Sequence, residues 1–201
     1  MSGFLVRLAL WMKLWRASLP AGILMVLFPA AAYAMYRFMP YRIESFTSLF
    51  YEKTAMLLFL FLLQWCFAID FDSKFAGHLL MYPMARWRLL MERALLASIL
   101  FAVLLGLTTL GLTPFAGGFV WKGMLFSVPV YIGMTGVFVL ATVIGNHSLG
   151  GLCSGLVFWF LSLSGVFRSA EPWILYNRLG YAGAGILLSG AAVLLFNRRS
   201  G

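Results

Sequence analysis

Few residues in this chain have the type and spacing that chemistry requires. Asp70 and Asp72 form an Asp-x-Asp pair, which could hold a divalent cation on a phosphorylated substrate. The two histidines, His78 and His147, belong to no His-Glu-x-x-His motif and to no Cys/His cluster. Membrane enzymes that transfer phosphorylated groups need more acidic residues than one pair. We therefore interpret the aspartates as the start of a loop and the histidines as surface residues, and we predict no catalytic residue, no metal site and no bound cofactor.

A glycine-rich stretch, residues 150–155, is the second candidate. A phosphate-binding loop of the form Gly-x-x-x-x-Gly-Lys-[Ser/Thr] needs a lysine, but this stretch has none and lies in an apolar run. Small residues four positions apart instead allow two helices to approach closely. We expect such packing at Gly151 and Gly155, at Gly180 and Ala184, and at Gly185 and Ser189. If ATP energises this protein, a separate chain must bind it.

The elements that carry these residues are hydrophobic helices. The chain has 201 residues, 63% hydrophobic and 10% charged, with a mean hydropathy of +0.94. A soluble domain carries about 25% charged residues. A run of about 20 apolar residues matches the hydrocarbon core of a bilayer, where backbone polar groups need partners within their own helix. The sequence predicts an all-α polytopic membrane protein, a single transmembrane domain over residues 1–201, with six spans at about 19–36, 55–69, 92–112, 123–145, 149–167 and 179–196.

Polar side chains are few inside these predicted spans. Gln64 is the main strongly polar one, and Cys66 and Cys153 are interpreted as small buried residues rather than as a disulfide. Ion-coupled carriers need ionisable residues within the membrane as proton or cation relays. The sequence therefore argues against a proton-driven or sodium-driven carrier.

Basic residues predict the orientation. An even number of spans places both termini on one side, and positive residues favour the cytoplasmic side. With the termini inside, nine basic residues are cytoplasmic and six are external. We interpret the net charge of +9 as membrane topology and attraction to anionic headgroups, not as nucleic-acid binding.

The first 18 residues predict an interfacial helix on the inner surface of the membrane. One apolar stripe along that helix would contain Phe4, Leu8, Trp11 and Trp15. The alternative, a basic flank without a helix of its own, remains open.

The inner loop between spans two and three, residues 70–93, carries more charge than any other part of the chain. Wound as a helix, it places Phe75, Leu79 and Tyr82 on one face, and Pro83 then ends or turns the segment. Another face, with the same spacing, would contain Lys74, His78 and Met81. This pattern predicts a short amphipathic helix on the cytoplasmic face that could present one side to a cytosolic partner. A solvated loop is the alternative that the pattern leaves open.

This loop resembles the inner loop of ABC-2 type permeases, the membrane subunits of one class of ABC exporters. That loop commonly contains a glycine, a leucine pair, a proline, a small residue, an arginine and a leucine-rich entry to the next span. The matching residues here are Gly77, Leu79, Leu80, Pro83, Ala85, Arg86, Leu89 and Leu90. The chain departs from the family where Lys74 and His78, not an acidic residue, flank the glycine. The outer segment 168–178 is also short, so a large outer vestibule is not expected.

The resemblance implies a permease subunit in a bacterial-type plasma membrane, with both termini cytoplasmic. It implies dimerisation with a second copy or a paralogue, and energy supplied by separate ABC ATPase subunits. The residues that it implies in ATPase coupling are Phe75, Gly77, Leu79, Leu80, Tyr82, Pro83 and Arg86. A membrane structural or immunity factor that transports nothing is the alternative. A membrane enzyme is disfavoured, since clusters of acidic residues, histidines and nucleophiles are missing.

Overall fold

The computed structural model describes residues 19–38, 43–72, 86–163 and 173–198, and these residues are almost entirely helical, with no strand among them. The chain divides into two compact units, residues 1–40 and residues 41–201. The first contains α1 (Leu19–Phe38). The second contains, in chain order, α2 (Ile43–Thr47), a π-helical segment (Ser48–Thr54), α3 (Ala55–Phe71), α4 (Arg86–Ala116), α5 (Phe119–Gly145), α6 (Ser148–Leu163) and α7 (Trp173–Arg198).

Four helical stretches among the described residues are long and apolar enough to cross a membrane. They are Ser48–Ala68, Trp87–Ala116, Phe119–Gly145 and Asn177–Arg198, and a shorter apolar helix covers Ser148–Leu161. Many apolar side chains point away from the rest of the chain; Leu187 of α7, for example, is 75% exposed. Lipid is the solvent that makes such a surface stable. The chain is therefore a multi-pass α-helical membrane protein.

Two segments predicted as loop residues are helical. Residues 43–54, placed before the second span in the sequence, continue directly into α3. The reason is an apolar face, because Phe46 and Phe50, one turn apart, are both buried and their rings stack. Arg86 and Arg88, predicted to precede the third span, belong to the first turn of α4. Long basic side chains can begin a spanning helix because their charged ends reach the interface.

Helix α5 contacts every other described helical element of residues 41–201, and α3 packs against α4, α5 and α6. Aromatic rings fill this core. Phe59 of α3, Phe101 of α4 and Tyr131 of α5 lie with their ring centroids 4.7–5.6 Å apart. Pairs of this kind contribute about 0.5–1.5 kcal/mol beyond the area they bury. Further along α3, Phe67 meets Phe138 of α5 edge to face at 5.4 Å.

Helices α5 and α7 cross in backbone contact at glycines. A Cβ added at Gly136 would lie 2.6 Å from the Cα of Gly185, and one added at Gly185 would lie 2.8 Å from the Cα of Gly133. The sequence predicted packing at Gly180 and Ala184 and at Gly185 and Ser189, and the close approach within this chain is at Gly185. A Cβ at Gly180 would meet no heavy atom within 4 Å, and Ala184 is exposed, so neither packs against the described part of this chain. Gly185 faces α5, as does Tyr181, whose carbonyl oxygen would lie 3.1 Å from a Cβ added at Gly133.

Gly151 and Gly155 lie where α6 approaches its neighbours. A Cβ added at Gly151 would lie 2.9 Å from the ring of Phe138 in α5, and one added at Gly155 would clash with Leu60 of α3. Both glycines are buried. The small residues of α6 therefore set how closely it packs against α5 on one side and α3 on the other.

Candidate functional site

Most residues predicted to couple to an ATPase lie outside the described residues. These are Phe75, Gly77, Leu79, Leu80, Tyr82 and Pro83. Arg86, the last of the set, is the first residue of α4. The predicted interfacial helix over residues 1–18 also lies outside the described residues. Two polar clusters, one near each end of α3, join helices that are distant in the sequence.

The first cluster is centred on an ion pair between Glu52 of the π-helical segment and Arg178 of α7. An Nη of Arg178 donates to Oε1 of Glu52. The same guanidinium lies over the ring of Phe126 in α5, 4.9 Å from its centroid, which is a cation–π contact. The Arg178 side chain is 16% exposed and that of Glu52 28% exposed, so the pair is partly open to its surroundings.

Side chains complete the backbone hydrogen bonding of the π-helical segment. Three of its carbonyls accept such bonds: Leu49 from Thr54 Oγ1 (3.3 Å), Tyr51 from the Tyr131 hydroxyl, and Lys53 from Trp159 Nε1 (2.9 Å). Because π-helices form i→i+5 bonds and are rare, they persist where neighbouring residues stabilise them, and they are frequent at functional sites. Here α5 and α6 supply those neighbours.

The Tyr51 side chain extends this network to α4. Its hydroxyl lies 2.8 Å from Oγ1 of Thr109, and Thr109 Oγ1 is also 2.8 Å from the carbonyl oxygen of Leu105. Tyr51 and Thr109 are both fully buried. Buried polar groups need partners of this kind, since an unmade hydrogen bond costs about 1–3 kcal/mol. The π-helical segment is therefore tied to α4, α5, α6 and α7 at once.

This cluster corrects the expectation that Gln64 is the main polar residue in the spans. Glu52 and Lys53 lie inside the candidate span Ser48–Ala68, and Arg178 lies inside Asn177–Arg198. The sequence placed all three in outer loops, because charge lowers the hydropathy of a window and shortens the apparent span. The sequence contains one sign that the helix extends through Glu52, because Phe46 and Phe50 recur at helical spacing immediately before it.

The second cluster joins the end of α3 to the beginning of α6. The carboxylate of Asp72 accepts hydrogen bonds from the backbone N–H of Ser148, at 2.9 Å, and from its hydroxyl. Gln64 Nε2 donates to the same hydroxyl at 3.3 Å. Nδ1 of His147 lies 3.0 Å from Oδ1 of Asp72. A carboxylate at a helix N-terminus satisfies free N–H groups and complements the positive end of the helix dipole.

The second cluster contains Ser, His and Asp, but not in a catalytic arrangement. In a nucleophilic triad the histidine lies between the serine and the carboxylate. Here Asp72 lies between them, since it contacts both Ser148 and His147. The histidine thus has no bond through which to deprotonate the serine. Among the described residues, no group of three or more His, Cys, Asp or Glu could hold a metal ion.

No family model, no curated protein and no solved structure matches this chain. Its function must be inferred from its own residues and contacts. Those contacts define a multi-pass membrane protein with a charged, aromatic-lined cluster near one end of α3 and a helix-capping cluster at the other.

Proposed function

We propose that this chain is the permease subunit of an ATP-driven exporter of the ABC-2 type. Two copies, or one copy and a paralogue, would form the translocation path in a plasma membrane, with both termini cytoplasmic and six spans per chain. The ATPase would be a separate chain that binds residues 73–91 and the N-terminal segment. The cytoplasmic segment after α3 would be the coupling element.

The positions of the helices support six spans. Each predicted span overlaps a different helix: α1, α3, α4, α5, α6 and α7 in turn. Two of the six, α1 and α6, are not among the four stretches that meet the length and hydropathy criteria. Reporter fusions after α5 and before α6 cannot separate these helices, because only Asn146 and His147 join them. If six spans are present, reporters fused after residues 40, 117 and 170 should lie outside, and a reporter fused after residue 78 should lie inside. Residues 117 and 170 share a side because two spans, α5 and α6, lie between them.

The observation that carries the proposal is the hydrogen-bonded junction at Asp72. The segment that resembles a coupling loop begins at the next residue. Asp72 binds the first turn of α6, and α6 packs along α3 and α5. A force applied to the segment by an ATPase would reach α3 through the chain and α6 through this junction. Through this junction the segment would act on α6 as well as on α3 and α4, the two helices that it joins.

Purification of the tagged chain from native membranes in mild detergent tests the proposal. A stoichiometric ABC ATPase should accompany the wild-type chain and be lost in the double variant Leu79→Asp/Tyr82→Asp. The double variant His78→Asp/Met81→Asp is the matched control, because it places two carboxylates at the same spacing on the other face of the predicted coupling helix. The control should retain the ATPase.

Two results would contradict the proposal. One is a pure chain without an ATPase, under conditions in which known exporter complexes stay intact. The other is normal ATPase binding and transport by the Leu79→Asp/Tyr82→Asp variant. The first result would favour the alternative, a membrane structural or immunity factor that moves nothing.

A further inference from the structure

Arg178 occupies a position that is built to hold a cation. Its guanidinium has a carboxylate on one side, from Glu52, and the face of an aromatic ring on another, from Phe126. This is the combination by which proteins recognise organic cations: an anion supplies charge and a ring face supplies further attraction as the cation leaves water. Guanidinium is a planar, weakly hydrated ion that resembles such ligands.

The energetics of the ion pair argue against a role in stability alone. Withdrawing two charges from water costs several kcal/mol per ion, and well-packed apolar residues often replace such a pair without loss. The pair is also incompletely buried, with 16% and 28% of its two side chains exposed. A partly open pair can exchange one of its members, whereas a sealed pair cannot.

Aromatic side chains lie around the pair. Tyr181 lies one turn after Arg178 on α7, and its ring meets Phe158 of α6 edge to face at 5.6 Å. Tyr131 of α5 donates to the carbonyl of Tyr51, the residue immediately before Glu52. A ligand that fits this environment has a positive charge on an apolar, preferably aromatic, body.

We propose that Glu52 and Phe126 form a cation subsite, occupied by Arg178 when the protein is empty and by the charge of an amphipathic organic cation when it is loaded. The idea that this cation is exported cargo rests on the proposed function; the binding itself does not. The arriving cation displaces the guanidinium from Glu52. No covalent bond changes and no proton needs to move.

Neutral substitutions of Glu52 and of Arg178 should change the affinity for an organic cation in opposite directions. The probe is tetraphenylphosphonium, and its dissociation constant is measured by calorimetry on the purified chain without ATPase. Glu52→Gln removes the attracting charge and should weaken binding about tenfold or more. Arg178→Gln removes the competing cation and should tighten binding about three- to tenfold. Arg178→Lys retains a competing charge and should fall closer to wild type.

Two controls separate this subsite from a structural pair. Neutral triphenylphosphine oxide, which has a similar aromatic body, should bind all variants equally. The double variant Glu52→Gln/Arg178→Gln leaves no unpaired charge, so it should remain folded even if a single variant does not. It should bind the phosphonium as weakly as Glu52→Gln does. Phe126→Leu should weaken phosphonium binding about two- to fivefold.

The proposal is overturned if Glu52→Gln and Arg178→Gln shift the affinity in the same direction, or if the double variant binds like wild type. Those results would leave a purely structural ion pair. An ATPase that co-purifies with a chain lacking phosphonium binding would overturn the subsite and leave the permease intact. Phosphonium binding by a chain without any ATPase would support the subsite and contradict its role in export.

Discussion

The carboxylate of Asp72, which follows the last turn of α3, caps the first turn of α6 through both the backbone N–H and the hydroxyl of Ser148. The two residues are 76 positions apart in the chain. A local N-cap would have used His147 or Asn146, and Asn146 instead takes a left-handed conformation, with φ of 50°, that ends α5. A residue from another helix thus completes the α5–α6 turn.

Removing this cap should weaken the protein measurably. Asp72→Ala leaves the first N–H groups of α6 without their acceptor, and we expect a loss of about 1–2 kcal/mol. The melting temperature in detergent should fall by a few degrees. Asp72→Asn retains an acceptor oxygen and should lose less. His147→Ala is the control, since this half-exposed side chain contributes only a weak pair. A larger loss from His147→Ala than from Asp72→Ala would contradict this assignment.

The glycine crossing between α5 and α7 gives a test with an internal control. Gly185→Ala places a methyl group against the backbone of Ile132 and Gly133, and overpacking of this kind costs about 1–3 kcal/mol. Gly183→Ala, on the same helix, meets open space and should be neutral or slightly stabilising. Thermal unfolding in detergent compares the two. Equal changes in melting temperature for the two variants would contradict a backbone contact at Gly185, because helix propensity alone favours alanine at both positions.

Gly180→Ala makes a separate prediction about the same helix. Within the described part of the chain, its methyl group would meet nothing within 4 Å. We expect no change in melting temperature for a chain purified as a monomer. A loss seen only when two chains are associated would place Gly180 in a contact with another chain, which would recover the packing role expected from the sequence.

The side-chain bonds to the π-helical segment should control its local opening. In the double variant Tyr131→Phe/Trp159→Phe, the carbonyls of Tyr51 and Lys53 lose their donors, at an average of about 0.6 kcal/mol for each bond in a membrane protein. Hydrogen exchange of amides in residues 48–58 should become faster. Trp121→Phe is the control, because it removes an equivalent bond, to Thr113 Oγ1 at 3.0 Å, outside this segment. Unchanged exchange in the double variant would contradict the role of these bonds.

The two cysteines should react with thiol reagents at different stages of unfolding. Cys66 is fully buried in α3, as the sequence predicted, whereas Cys153 is exposed on α6, contrary to that prediction. A fluorogenic maleimide should label a Cys66→Ala chain in native detergent solution, and it should label a Cys153→Ala chain only as the chain unfolds. The second variant therefore reports unfolding for the experiments above. Native labelling of Cys66 would be inconsistent with a closed core around α3.

The helical class and the positions of the long helices could be predicted from the sequence. An apolar run of about 20 residues in lipid forms an α-helix, because its backbone groups must form their hydrogen bonds within the run. The short link between α5 and α6 was also visible, since Asn146, His147 and Ser148 interrupt two apolar stretches. These features depend on neighbours along the chain. Local sequence is sufficient for them.

The contacts that define the two clusters could not be predicted, because their partners are distant in the sequence. The π-helical segment is held by Tyr131, 80 residues from its acceptor, and by Trp159, 106 residues from its acceptor. Small-residue spacing occurs twice on α7, and only the crossing angle with α5 decides that Gly185, not Gly180, makes contact. Spacing specifies a face, but it does not specify which neighbour covers that face.

The separation of Glu52 from Arg178 has a consequence for biosynthesis. Arg178 follows Glu52 by 126 residues. At about 5–20 residues per second, about 6–25 s of translation separate the two charges. Throughout that interval the carboxylate lacks its counter-ion, so the insertion machinery must keep this part of the nascent chain near the headgroups. A chain that stops before α7 never acquires the arginine, and its uncompensated acidic residue would mark it for removal by membrane quality control.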